Sequence, residues 1–374
     1  MKKITLFLLA ICCIGTVAFA QQSKEAVPIF QSGNDGYESF RIPAIIRLPN
    51  HDLLAFAEGR VDGASDFGHV NIVMKRSTDN GASWSGLQVV ATNDSLQAGN
   101  AAPVVDLTDP EYPKGRVFLF YNTGDVSEGE LRQGKGHRKV WYKTSADGGK
   151  TWSQPVNITH QVKKKDWRAY ANTPGHAMQF KWGKYKGRIY VAANHSEGDP
   201  QPSFKDYQAH GYYTDDHGKT FHLSEKVSFL GSNENSAAEL PGNGLILNTR
   251  NQAGSPRERI ISISSDGGET WDTTYYDSQL PDPVNQGSIL NIGGKKHKSY
   301  LAFTNAASPS NRINLTLRIS FDGGKTWPKS YLVDQKGEST AYSDIVKLGR
   351  RKIGVLYERK GYSEIVFKVM KWKK

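Results

Sequence analysis

Short apolar or alternating runs, each bounded by Gly, Asn, Asp or Pro, recur along the whole chain. They fall at residues 44–47, 53–57, 71–76, 117–121, 140–144, 188–193, 244–249, 259–264, 300–304, 315–320, 344–347, 352–358 and 365–371. Runs of four to seven residues with such tight punctuation predict an antiparallel all-β protein. Nothing between them has the period of a long amphipathic helix.

One turn motif, Ser/Thr-x-Asp-x-Gly-x-Thr/Ser-aromatic, occurs five times, with its Asp at Asp79, Asp147, Asp216, Asp266 and Asp322. Its aromatic is Trp84, Trp152, Phe221, Trp271 and Trp327 in turn, the third copy being the weakest. The Asp side chain can accept backbone N–H bonds within its own turn, and Gly supplies a positive φ. The aromatic then re-enters a strand and packs under the turn. Separations of 68, 69, 50 and 56 residues between the Asp positions indicate a radial array of small sheets. The expected fold is a single six-bladed β-propeller of four-stranded antiparallel blades. Its last blade is closed by pairing N- and C-terminal strands, which accounts for five turn motifs instead of six.

Composition refines this picture. The chain has 374 residues, 11% of them aromatic, and 37 glycines, which suits many short strands joined by tight turns. Residues 1–20 read as a bacterial signal peptide: Lys2-Lys3, an apolar stretch over 4–17, and a small-x-small cleavage site at Ala18-Phe19-Ala20. Residues 21–374 then form one domain, exported to the periplasm or the exterior. Cys12 and Cys13 both lie in the signal, so the mature chain enters an oxidising compartment without disulfides. Ile11 stands where a lipidated Cys usually follows a small residue, which argues against a lipoprotein.

Net charge is +11, with basic residues in separate stretches such as Lys163-Lys164-Lys165 and Arg350-Arg351-Lys352. Nucleic-acid binding would favour a continuous basic stripe with exposed aromatics, so a solvated basic surface, mildly attractive to anionic glycans, is the better reading. The sequence lacks a His-Glu-x-x-His, a Gly-x-Ser-x-Gly elbow and a phosphate-binding loop, and no cofactor or metal is expected.

Phe40-Arg41-Ile42-Pro43, ahead of the first turn motif, is similar to the Phe/Tyr-Arg-Ile-Pro motif of the sialidase (exo-α-neuraminidase) family. The turn motifs match that family's Asp-boxes, and the resemblance covers essentially the whole mature chain. It implies an enzyme that grips the carboxylate of sialic acid with three arginines. Guanidinium suits that task because it is always charged, planar and able to bind a carboxylate through two bonds. The matching positions are Arg41, Arg250 in Leu245-Ile246-Leu247-Asn248-Thr249-Arg250, and Arg312 in Ser310-Asn311-Arg312-Ile313-Asn314. Arg318 competes with Arg312, but it lies inside the strand entering the fifth turn.

The same resemblance implies the catalytic groups. Asp66, in the Gly-rich segment 58–68, matches the acid/base Asp, with Asp62 as its rival. Tyr342, in Ala341-Tyr342-Ser343-Asp344, looks like the nucleophile, and Glu234 its base, with Glu239 as alternative. A tyrosine nucleophile is an exception to the two-carboxylate rule of glycosidases. A carboxylate would be repelled by the substrate's own carboxylate, whereas a neutral phenol is not, although it needs a base to become nucleophilic. Arg60 matches a further arginine near the sugar hydroxyls, Glu358 a Glu that orients the first arginine, and Asn100 a contact near the acyl-amino group.

The expected activity is exo-hydrolysis of terminal sialic acids with retention, on sialylated glycoproteins, glycolipids or oligosaccharides, by a monomer without a membrane span. Two alternatives use the same fold: a trans-sialidase, and a glycan-binding propeller without catalysis.

Overall fold

The computed structural model describes residues 25–295 and 298–374, so the expected signal segment lies outside the described residues. Within them the chain is all-β around a central axis, with two short α-helices, Glu128–Arg132 and Thr159–Val162, as minor additions. Glu128–Arg132 begins at Ser127, whose side chain accepts from the Glu130 N–H while the Glu130 carboxylate accepts from the Ser127 N–H. No helix among the described residues is long and apolar enough to cross a membrane.

Hydrogen bonding corrects the expected set of six separate four-stranded blades. The strands form four small antiparallel sheets, one of them with five strands, and a single eight-stranded sheet. The large sheet arises because strand Val70–Ser77 meets strand Gln97–Asp106 through a parallel bridge, Val70 to Gln97. The linker over 92–96 is short, and the Val70 N–H donates to the Leu96 carbonyl at 3.2 Å. That bond leaves no gap at which a separate sheet could begin. The fifth strand of the other enlarged sheet is Met178–Gln179, paired to Ile189–Glu197. The expected closure by the chain's two ends is present: Val27–Gln31 pairs antiparallel with Glu364–Lys371.

The turn motifs behave as local chemistry predicts. In the first, Asp79 Oδ1 accepts from the Ala82 and Ser83 N–H groups, each at 2.9 Å, and Oδ2 accepts from Ser83 Oγ at 2.6 Å. These bonds, the Ser83 hydroxyl first among them, hold the Asp79 carboxyl well below the usual carboxylate range. Gly81 sits at φ +88°, directly under the Phe367 ring, where a Cβ would overlap the ring. Trp84 packs edge-on against the same Phe367, which fastens its turn to a neighbouring sheet, whereas Trp152 packs edge-on against Phe56 within its own eight-stranded sheet.

The core lies between sheet faces. Leu54, Phe56 and Met74 pack with Val117 and Leu119, and Phe30 and Phe40 with Leu356 and Phe367. Each such side chain contributes roughly 1.5–3 kcal/mol by leaving water.

The axial strands carry a shared irregularity that positions the site. Register shifts lie between Arg41 and Ala44, between Gly99 and Ala102, between Ser232 and Asn235, and between Thr340 and Ser343. A bulge bends the strand and re-aims the extra side chain. Ile42 and Asn100 adopt φ of 61° and 56° there, a left-handed backbone that β-branched Ile rarely takes. The Asp66 loop precedes strand Val70–Ser77 and the first turn motif follows it, so the turn motif and this loop stand at opposite ends of that strand.

Candidate active site

The bulged ends of the axial strands surround a cleft of about 460 Å³. Its wall includes Arg41, Arg60, Asp66, Asn100, Glu234, Arg250, Arg312 and Tyr342. Positions separated by up to 301 places in the chain, Arg41 and Tyr342, thus meet in one hollow. Glu358 stands immediately behind Arg41.

Tyr342 lies in strand Thr340–Gly349, Glu234 in Ser232–Leu240 and Arg250 in Gly244–Asn251. The Tyr342 hydroxyl donates to Glu234 Oε1 at 2.6 Å, and Arg250 Nη1 donates to Glu234 Oε2 at 2.6 Å and to the Tyr342 oxygen at 3.0 Å. Burial first, then the Glu234 charge, pushes the Tyr342 phenol well above its ordinary value, while Arg250 and Arg312 pull it back. The phenol is therefore protonated at rest, with its proton directed at a carboxylate.

Arg41 belongs to strand Ser39–Arg47 and Glu358 to Lys352–Arg359. Glu358 Oε1 accepts from Arg41 Nε at 2.7 Å and from the Ile42 N–H at 2.9 Å, and Oε2 accepts from the Tyr342 N–H at 3.0 Å. Burial opposes the charge on Arg41, but Glu358 outweighs it and the guanidinium is held charged. Burial likewise opposes the charge on Arg250, which Glu234 restores. Arg312 lies in the loop before strand Leu315–Ser320, and its Nη2 donates to the Val284 carbonyl at 3.1 Å.

Arg60, also lining the cleft, ends strand Leu53–Arg60 and reaches Glu58 Oε2 at 2.7 Å and Asp66 Oδ1 at 2.8 Å. Asp66 is 83% exposed, the only strongly exposed member of the catalytic trio expected from the sequence. The Asn100 N–H donates to Glu58 Oε1 at 2.9 Å.

The sequence rivals sit elsewhere. Arg318 donates to Asn305 Oδ1 at 3.0 Å inside its strand, and burial lowers it to about 10. Glu239 accepts from the Lys181 and Trp182 N–H groups, each at 3.0 Å. Asp62 is exposed and does not line the cleft.

Three contributors went unread in the sequence. Glu58 is 2% exposed and joins Arg60 to Asn100; its i, i+2 spacing from Arg60 on one strand face was the available signal. Tyr362 lies under the Arg41 guanidinium at 4.1 Å and accepts from Arg312 Nη1 at 3.3 Å. Gln97 donates to the Asp66 carbonyl at 2.7 Å and accepts from Arg138. Neither Tyr362 nor Gln97 carries a sequence signal.

Among the described residues, one cluster has metal-ligand spacing: Asp106, Asp109 and His217, outside the cleft. Its oxygens are already engaged, Asp106 by His217 and Gln179 and Asp109 by Arg116.

The family model described as BNR repeat-like domain matches residues 51–355. A sialidase of Micromonospora viridifaciens is 34% identical over 348 residues, covering 87% of this chain and 51% of that protein. A sialidase of Bacteroides fragilis is 27% identical over 376 residues, covering 94% of this chain and 65% of that one. The chain thus spans about half to two thirds of the length of these two relatives. In structure it resembles the Hadza microbial sialidase Hz136, with a TM-score of 0.80, 24% identity, and coverage of 92% of this chain and 68% of that one. The chain belongs to the BNR repeat-like domain family.

Proposed function

We propose that this protein is an exo-sialidase that hydrolyses terminal α-ketosidically linked sialic acids from glycoproteins, glycolipids or oligosaccharides, with retention and through a tyrosyl-sialoside intermediate. The observation that carries this reading is the 2.6 Å hydrogen bond from Tyr342 to Glu234, set among Arg41, Arg250 and Arg312.

Arg41, Arg250 and Arg312 hold the sialoside carboxylate. Tyr342 passes its proton to Glu234 as the phenolate oxygen bonds to the anomeric carbon, and Asp66 protonates the departing glycosidic oxygen. To do so Asp66 swings away from Arg60, which its exposed loop permits. Asp66, now a carboxylate, then takes a proton from water. The resulting hydroxide attacks the anomeric carbon, the tyrosyl bond breaks, and Glu234 returns the proton to Tyr342. Two displacements on one carbon give net retention.

We also assign residues 1–20 as an export signal and 21–374 as one catalytic domain, acting as a monomer in the periplasm or outside the cell. Proton NMR of an aryl α-sialoside digest tests the mechanism: the α-anomer of free sialic acid should appear first. First appearance of the β-anomer would overturn it. With added lactose, formation of sialyl-lactose in place of free sialic acid would identify a transferase.

A further inference from the structure

A second cleft, of about 930 Å³, adjoins the first, and Arg138 lines both. It lies between the segment 131–139 and residues 157–168. Its Lys and Arg side chains are Lys135, Arg138, Lys139, Lys163, Lys165 and Arg168, against two carboxylates, Asp166 and Glu197. Lys226 ties Glu197 at 2.6 Å, while Lys135, Lys139, Lys165 and Arg138 form no ion pair among the described residues. Six cations against two carboxylates leave the cleft net positive, and a bound anion would relieve their mutual repulsion.

Arg138 is the most telling member. Its Nη1 donates to Gln97, and its buried Nε has no partner among the described residues. A guanidinium left this way is costly to keep unless something else completes it. Burial lowers it from its usual value, against the nearby charges of Glu128 and Glu58. Gln97 in turn donates to the Asp66 carbonyl, so Arg138 stands one residue from the proposed acid. Protonation of the leaving oxygen by Asp66 puts the departing sugar on that side.

We propose that this basic cleft is a subsite for an anionic departing sugar, entered over Arg138 and held by Lys135, Lys139 and Lys165. The ligand class is a sugar bearing a carboxylate or sulfate next to the scissile bond. The inference rests on the sialidase reading above and adds a substrate preference to it.

The test compares kcat/KM on 3′-sialyllactose, whose departing sugar is neutral, with α2,8-disialyl-lactose and a sulfated sialyllactose, whose departing sugars carry a carboxylate and a sulfate. Wild-type protein should prefer an anionic substrate by roughly tenfold at low salt, falling toward parity in about 0.5 M NaCl. Whichever anionic substrate is preferred identifies the group. The preference should vanish in the Lys135→Ala, Lys139→Ala, Lys165→Ala triple variant and persist in the matching Lys→Arg triple. Equal rates on all three substrates, or a preference that survives the Ala triple, overturns the subsite. Failure to cleave any sialoside would instead sink the sialidase reading, and calorimetry with sulfated lactose would then decide the subsite alone. Binding that is lost in the Ala triple supports it; no binding, or binding unchanged by the variant, overturns it.

Discussion

Glu234 and Tyr342, 108 positions apart, share a 2.6 Å hydrogen bond whose acceptor carboxylate is also held by Arg250 at 2.6 Å. Arg250 therefore orients the Glu234 carboxylate and faces the phenol oxygen at once. The arrangement favours the neutral phenol and points its proton at the Glu234 carboxylate.

Removing the hydroxyl tests this directly. Tyr342→Phe should reduce kcat on an aryl sialoside by at least about 10³-fold with its fold intact by circular dichroism. Turnover near the wild-type value would remove Tyr342 from the chemistry.

Glu234→Gln should reduce kcat by roughly 10²–10⁴-fold near neutral pH. Its residual activity should climb between about pH 7 and pH 10, because Tyr342 must then ionise into solvent, aided by Arg250 and Arg312. A flat residual profile would contradict the pairing.

Glu358 is fully buried and joins Arg41 to the Tyr342 backbone, so Glu358→Ala leaves a buried cation without its partner. Stability should fall by roughly 3–5 kcal/mol in urea unfolding, and KM should rise as Arg41 loses its orientation. A KM equal to wild type would show that Arg41 is positioned by other contacts.

His176 Nδ1 lies 2.7 Å from Asp344 Oδ1 in the interior. Burial disfavours the imidazolium, but the Asp344 carboxylate outweighs it and raises His176 above its ordinary value. The stabilisation is present below about pH 6.5 and is lost as pH rises through the folded-state value. Urea midpoints should decline as pH rises above about 6.5 in the wild type and lose that component in His176→Gln. Identical profiles would remove His176 as the titrating group.

Gly81→Ala should destabilise by more than Gly323→Ala. Both take a positive φ, +88° and +78°, but only at Gly81 would the new Cβ overlap a ring, Phe367; at Gly323 the nearest atom, of Leu240, is 3.5 Å away. A difference of about 1–3 kcal/mol in urea unfolding is expected, and equal losses would mean the Phe367 contact relaxes freely.

Local chemistry made much of this molecule readable. An Asp, a Gly and an aromatic at fixed offsets describe a turn completely, so the sequence alone places Asp79 and Gly81 in theirs. Arg41, Arg250, Arg312, Asp66, Glu234 and Tyr342 were found through short motifs, and one cleft gathers them all. The division into sheets was not readable, since the Val70 to Gln97 bridge depends on how a short linker lies. The bulges that aim Glu234 and Tyr342 escaped for the same reason: a register shift belongs to a pair of strands, and one strand's pattern does not record it. Glu58 and Arg138 read as ordinary charged residues until their buried neighbours are known.

The pairing of Val27–Gln31 with Glu364–Lys371 also sets an order of events. Tyr342 and Glu358 lie in the same sheet as those two strands, and that sheet is complete only when Glu364–Lys371 is in place. A nascent or truncated polypeptide lacking Glu364–Lys371 would hold every arginine of the cleft yet have no fixed place for its phenol. Activity should thus appear all at once, when Glu364–Lys371 docks.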